Sequence, residues 1–314
     1  MNAAVMLCLV LLAMFALSTL MLSGLVTLAW RAGLANTLTA STDLLAMRLL
    51  PACGGLLIVL TVVLPAFISQ EPQRPREAAG PWLLALAVSS LLAVGHGVWR
   101  GWRACAASRS LLRDCRPIRR SIVAHGHEVE IVAMNRPIAA VIGGWRPRIV
   151  AAECLVAACS TDELQQVIAH EAAHLSARDN LKQLLLIVSP DLLAWTRVGA
   201  ALAQRWRAAA ELEADQRATG NDPGRRLALA AALIKVARAL GASGHAYSPL
   251  SIPVASDDVA GRVRQLLAPP LGRSSPRAMS ARTLAMCALL LPLTALPLYP
   301  LVHELIEALV QLGL

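Results

Sequence analysis

Over the first hundred residues, long apolar runs are separated by short polar breaks; after that the pattern shifts to shorter alternating and helical periods. The run from Val5 to Trp30 exceeds the roughly 20 apolar residues that a helix needs to cross a bilayer, and predicts a first transmembrane helix. A signal peptide is the weaker reading, because Met1-Asn2-Ala3-Ala4 carries no basic side chain and the run is too long for an h-region. A second span is expected from Leu44 to Ile68. Arg48 near its start is expected to snorkel, Pro51 lies in its first turns, and Gly54-Gly55 would let another helix approach closely. The polar stretch Ser69–Glu77 interrupts the pattern, and a third span is expected from Trp82 to Trp99. A last apolar run, Leu284–Val302, predicts a fourth span followed by Glu304 and Glu307. The stretch Leu181–Leu202 is also apolar, but Lys182, Asp191 and Arg197 interrupt it. A buried or membrane-surface helix accommodates those charges at lower cost than a fifth span would.

Between Arg100 and Met279 lies the region able to form a water-facing domain. Its first part reads as strands: Glu128–Ala133 alternates, and Ala139–Ile142 and Arg148–Ala151 follow Gly or Pro turns, so a small sheet of two to four strands is expected. From Thr161 to about Leu240 the pattern is helical. Another helix is expected from Asp257 to Leu267, then a Pro/Gly/Ser linker from Pro269 to Pro276. The resulting organisation is a three-helix membrane region at 1–99, a cytoplasmic domain at 100–278, and a C-terminal span with a short tail at 279–314. The fold class is a mainly α membrane protein with a small β-sheet and about four transmembrane helices.

Composition agrees with the membrane reading. Hydrophobic residues make up 56% and charged residues 16%, more apolar and less charged than a soluble domain of this size. The net charge of +9 does not point to nucleic acid, because aromatic residues are 4% and the arginines cluster beside apolar runs. Arg100, Arg103, Arg109, Arg113, Arg116, Arg119 and Arg120 face the single acid Asp114, which places that segment in the cytoplasm. With three spans before it, the N-terminus is expected outside. The seven cysteines contain no CxxC pair, so they read as reduced small hydrophobes rather than a disulfide framework or a zinc knuckle.

The chemistry lies in His170-Glu171-Ala172-Ala173-His174. Ser160 and Glu163 form a candidate capping box that starts a helix just before it. On that helix His170 and His174 are four residues apart, so both imidazoles point to one ion. Neutral imidazoles bind Zn2+ without cancelling its charge, and Glu171 is placed to act as general base on the attacking water. A catalytic zinc site needs a third protein ligand. In Glu211-Leu212-Glu213-Ala214-Asp215, Glu211 and Asp215 share a helix face while Glu213 turns away, so Glu211 is the candidate ligand and Asp215 a candidate acceptor for a ligating histidine; a solvated acidic face is the alternative. Asp179 is a candidate to orient a histidine or to tie two helices together, with capping as the plainer use.

The segments Pro147-Arg148-Ile149-Val150, Thr161 through His174, and Arg178-Asp179-Asn180-Leu181 resemble the catalytic core of the BlaR1/MecR1-type membrane metallopeptidases, family M56. They are more distantly similar to HtpX/Ste24-type zinc proteases. Glu211 and Asp215 match the later E-x-x-x-D element, and Asp222-Pro223 with the helix Leu227–Lys235 fits the same pattern. The resemblance implies a gluzincin-like zinc metalloprotease core with one Zn2+ held by His170, His174 and Glu211, and Glu171 as the base. Three helices before the core favour M56 over the HtpX-type layout.

A zinc metalloendopeptidase of the bacterial inner membrane is therefore expected, cutting protein substrates at the cytoplasmic side, with a repressor or signalling client as one class. The alternatives are a general quality-control protease for membrane proteins, and a signalling component whose zinc site is structural or cuts only itself. The antibiotic sensors of the family carry a large extracellular penicillin-binding domain after the last helix, whereas this sequence runs about a dozen residues past Val302. Direct β-lactam sensing is not expected, and a stimulus would enter through the spans, the outer loops or a separate sensor protein. An extended substrate could pair with an edge strand, Val129–Met134 being the candidate. No second oxyanion donor is identified; His245 and Tyr247 read more readily as a loop histidine and a packed tyrosine.

Overall fold

The computed structural model describes residues 3–70, 79–114, 116–124, 126–134, 137–143, 147–220, 222–241 and 259–268, together with Pro300, Glu304 and Ala308. The expected fourth span Leu284–Val302, the linker at 269–276, and His245 and Tyr247 lie outside these residues, apart from Pro300. The described residues form two compact units. Residues up to Trp99 and Leu186–Arg205 belong to the first, and the remainder from Arg100 to Ala268 to the second.

The first unit is helical. Helix α1 (Ala3–Arg31) is followed by α2 (Ser41–Ile58), a π-turn at Val59–Val63, α3 (Leu64–Gln70) and α4 (Pro81–Asp114). Three helical stretches, Ala4–Arg31, Ser41–Ser69 and Pro81–Ser110, are long and apolar enough to cross a membrane. This is a mainly helical, multi-pass membrane protein. The π-turn joins α2 and α3 into the second stretch, and the Thr61 hydroxyl donates to the Leu57 carbonyl beside it. Glycine matters where α1 meets α2: a Cβ on Gly55 would lie 2.8 Å from Thr19 Cγ2, and one on Gly54 2.9 Å from Leu22 Cδ1. The close approach expected of this pair is therefore real.

Arg48 does not snorkel. It is 3% exposed, and its Nη1 lies 3.0 and 2.9 Å from the two carboxylate oxygens of Asp191, 143 residues away. Ser189 also donates to Asp191. The physical reason is that a buried carboxylate supplies a better partner for the guanidinium than a stretched path to water would. The stretch Leu181–Leu202 does not form one helix: α7 (Asp179–Val188) ends, a 3₁₀ turn covers Leu192–Trp195, and α8 (Arg197–Thr219) begins.

The second unit contains a four-stranded mixed sheet: β1 (Arg116–Ala124), β2 (His127–Ala133), β3 (Ala139–Ile142) and β4 (Arg148–Ala152), in the order β1-β2-β4-β3. Strand β1 pairs antiparallel with β2, β2 runs parallel to β4, and β3 is antiparallel to β4. The expected substrate edge Val129–Met134 is thus overturned. Residues 129–133 belong to β2, which is paired on both sides, because β4 crosses back between β2 and β3. After α5 (Glu153–Ala158), helix α6 (Thr161–Ala177) packs on the sheet, with Ile168 buried against Val129, Val141, Ile149 and Ala151. Its other apolar face, including Val167, meets Leu229 and Leu233 of α9 (Pro223–Gly241), and Leu266 of α10 (Val259–Leu267) joins the same cluster.

Candidate metal centre

Helix α6 begins with the expected capping box: the Glu163 N–H donates to Ser160 Oγ, and the Ser160 N–H donates to Glu163 Oε2. This fixes the helix phase, so that His170, Glu171 and His174 all point inward, each at most 3% exposed. The helix stops at Arg178, which adopts the left-handed conformation at φ 55. A non-glycine residue there costs about 1–2 kcal/mol. The sharp turn starts α7 directly beneath His174, and Asp179, its first residue, comes 2.9 Å from His174 Nδ1. Asp179 is also held by Lys182 at 2.8 Å.

Helix α8 supplies the remaining acids. Glu211 and Asp215 are buried on one face, while Glu213 turns outward and pairs with Arg217. Asp215 Oδ1 lies 2.9 Å from His170 Nδ1. Both histidines therefore meet a carboxylate at Nδ1 and present Nε2 to the same space. The Nε2 atoms are 3.2 Å apart; Glu211 Oε2 is 3.5 Å from that of His170 and Oε1 is 3.6 Å from that of His174. Donors around a tetrahedral ion bound at about 2.0–2.2 Å stand roughly 3.3–3.6 Å apart, so the three side chains fit a metal ion. The surroundings of Glu211 fit one too: Oε1 is buried with no hydrogen-bond partner, and the close charged group at Oε2 is the Arg262 guanidinium. His170, His174 and Glu211 form the three-residue group among the described residues that could hold an ion.

Glu171 sits beside this cluster. The Val141 N–H of β3 donates to its Oε2 at 3.0 Å, while Oε1 is buried without a hydrogen-bond partner. Asn180 Nδ2 donates to the Val141 and Gly143 carbonyls, which fastens the start of α7 to the same edge strand. A cleft of about 450 Å³ opens next to His174, lined by Val141, Pro147, Leu175, Arg178, Asn180 and Leu181.

The electrostatics follow from burial and crowding. Burial alone would push His170 down, but the Asp215 and Glu211 carboxylates outweigh it and raise the imidazole to about 10. Burial raises Glu171 to about 7, against the opposing pull of His170 and His174. Burial acts to raise Asp215 as well, yet His170 and Arg262 hold it at about 2.

Arg262 is the residue that sequence reasoning missed. It projects from α10 and is 7% exposed. Its Nε is 2.9 Å from Asp215 Oδ2, and its Nη2 is 2.6 Å from Asp215 Oδ1. Its Nη1 lies 2.6 Å from Glu211 Oε2, and Nη2 is 3.5 Å from His170 Nε2. One signal was available: Arg262 and Leu266 occupy the same buried face of α10, and an arginine at a core-facing position requires a buried acid. Asn180 lies within the segment that carries the family resemblance, and nothing local announces its bonds to backbone carbonyls 37–39 residues away.

Among curated proteins, none matches this chain. A family model for the BlaR1 peptidase M56 matches residues 82–266, which takes in α4, the sheet, all the side chains of the cluster and α10. The match covers more than half of the sequence, and the chain belongs to the BlaR1-type M56 peptidase family.

Proposed function

We propose that this protein is a zinc-dependent membrane endopeptidase acting at the cytoplasmic face. The observation that carries the reading is the convergence of His170 Nε2, His174 Nε2 and the Glu211 carboxylate beside a buried Glu171 whose Oε1 has no hydrogen-bond partner. Zn2+ suits two imidazoles and one carboxylate, and when bound it supplies Lewis acidity towards a peptide carbonyl and the attacking water.

The chain's own residues do the rest. Asp179 hydrogen-bonds His174 Nδ1, and the Asp215 carboxylate lies 2.9 Å from His170 Nδ1, an arrangement that favours the tautomer leaving each Nε2 lone pair to the ion. Glu171 is anchored at Oε2 by the Val141 N–H, so Oε1 takes the proton of the attacking water and later delivers it to the leaving amine. Burial raises Glu171 to about 7 even against the pull of His170 and His174, and the charge of an ion held between the histidines would add to that pull and keep Glu171 an active base near neutral pH. The substrate enters along the cleft beside His174. Protein clients presented near the bilayer, among them a repressor or signalling partner, fit a site tethered to three membrane helices.

The test is purified protein in detergent, with bound zinc measured by elemental analysis and cleavage of an unstructured peptide library followed by mass spectrometry. Wild type is expected to carry one zinc per chain, and Glu171→Gln to keep the zinc while losing about 10²–10⁴-fold in cleavage rate. Undiminished cleavage by E171Q would remove Glu171 from the chemistry.

A further inference from the structure

Arg262 has no part in the proposed proton transfers, yet it is buried in the middle of the site. Its guanidinium spans two carboxylates of α8: Nε and Nη2 grip Asp215, and Nη1 reaches Glu211 Oε2 at 2.6 Å. Nη2 also lies 3.5 Å from His170 Nε2. Two of the three donor groups that could hold an ion are therefore already facing a fixed positive charge.

The magnitudes decide what this does. A guanidinium that orients a ligand is worth what a supporting contact is worth, commonly a factor of 10–100 in metal affinity. A buried positive charge against the donors of a divalent cation acts the other way. Two charges on the ion meet one on the arginine across a few ångströms of protein, where the repulsion at an effective dielectric of about 20 outweighs a factor of about 100 in affinity. Repulsion exceeds support.

We propose that Arg262 is a built-in competitor for the metal, which sets how tightly the site holds its ion through the position of α10. The inference rests on the reading of His170, His174 and Glu211 as a metal centre, and concerns the regulation of that centre. Loading the ion requires Nη1 to give up Glu211, while the two-point grip on Asp215 lets the side chain pivot rather than leave. Helix α10 is itself pinned by Arg226 of α9, whose Nη2 donates to the Gln265 and Ala268 carbonyls at the α10 C-terminus. Anything that lifts α10 away from α9 withdraws the competing charge and tightens the site. The metal content of the enzyme is thus coupled to a helix that no ligand residue occupies.

The experiment measures the zinc dissociation constant by competition with a chromophoric chelator, on full-length wild type, Arg262→Gln, Arg262→Lys and Arg226→Ala in detergent. Thermal unfolding with and without zinc is recorded in parallel. R262Q is expected to bind zinc at least about tenfold tighter, because the like charge is gone. Its metal-free unfolding temperature falls and its zinc-induced rise grows. R262K keeps the charge but cannot bridge both acids, and is expected between wild type and R262Q. R226A leaves the site untouched and is expected to shift affinity the same way by a smaller factor, so it carries the test if R262Q does not fold. Equal or weaker zinc binding by R262Q and R226A, beside a wild type that binds one zinc, would overturn the competitor role and leave the metal centre standing. A wild type without zinc affinity, with R262Q gaining it, supports the inference in its strongest form; absence of zinc binding in every variant overturns the inference and the metal reading together.

Discussion

Among the described residues two arginines are buried, one in each unit, and they keep different company. In the membrane unit Arg48 meets Asp191 at 2.9 Å, and the charges cancel one for one. In the peptidase unit Arg262 meets Glu211 and Asp215, with Glu171 and Asp179 close by and Lys182 as the other cation. Four carboxylates there stand against two fixed cations, and Asp215 and Glu211 among them raise the His170 imidazole to about 10. A balanced pair needs nothing further; an acid surplus around two imidazoles needs another positive charge, and a divalent ion supplies it. The same physics that makes the first pair a structural joint makes the second a candidate metal site.

The balanced pair gives the largest expected effect when broken from one side. Asp191→Ala leaves Arg48 buried and uncompensated, and thermal or denaturant unfolding in detergent should show a loss of about 3–5 kcal/mol. The double change Arg48→Met with Asp191→Leu should recover most of that loss. Zinc content should not change in either variant, since all ligand candidates lie in the other unit. A D191A variant as stable as wild type would mean that Arg48 finds water by another path, as the sequence had suggested.

In the unbalanced cluster, Glu211→Gln should do the opposite: it relieves acid crowding but removes a ligand. We expect zinc affinity to fall by more than about 100-fold, beyond the usual worth of an outer-shell partner. Glu213→Gln, two residues away on the exposed side, should leave affinity unchanged. Equal losses from the two would sink the assignment of the third ligand.

The contrast also explains what could be read from the sequence. His170, Glu171 and His174 were legible because a single helix turn places them, and Glu211 with Asp215 because four residues fix a shared face. The three candidate spans were legible from run length alone, although the helix starting at Pro81 continues through the arginine-rich segment to Asp114. Long-range pairings were not. Asp191 was seen only as a charge interrupting an apolar run, and Arg48 only as a charge near a helix start, because no local rule joins positions 143 residues apart. Arg262 escaped for the same reason, 47 residues from Asp215. Alternation identified β2 as a strand but carried no information on its neighbours, so its interior place between β1 and β4 ran against the expected substrate edge.

The smallest effect separates orientation from simple helix joining. Asp179 opens α7, where an acid is favourable against the helix dipole whatever His174 does. If that is its whole role, Asp179→Asn costs some stability and nothing in metal binding. The 2.9 Å contact with His174 Nδ1 argues for more, because it raises the basicity of the ring and points Nε2 at the ion. Asp179→Asn should then weaken zinc binding by about 10–100-fold with the fold intact. Lys182→Met, which strips the outer cation from Asp179, should change it far less. The neutral amide keeps the shape of the aspartate and loses its charge, so an unchanged zinc affinity in D179N would reduce Asp179 to a cap. It would also leave Asp215, under its arginine, as the one carboxylate that governs a histidine of the site.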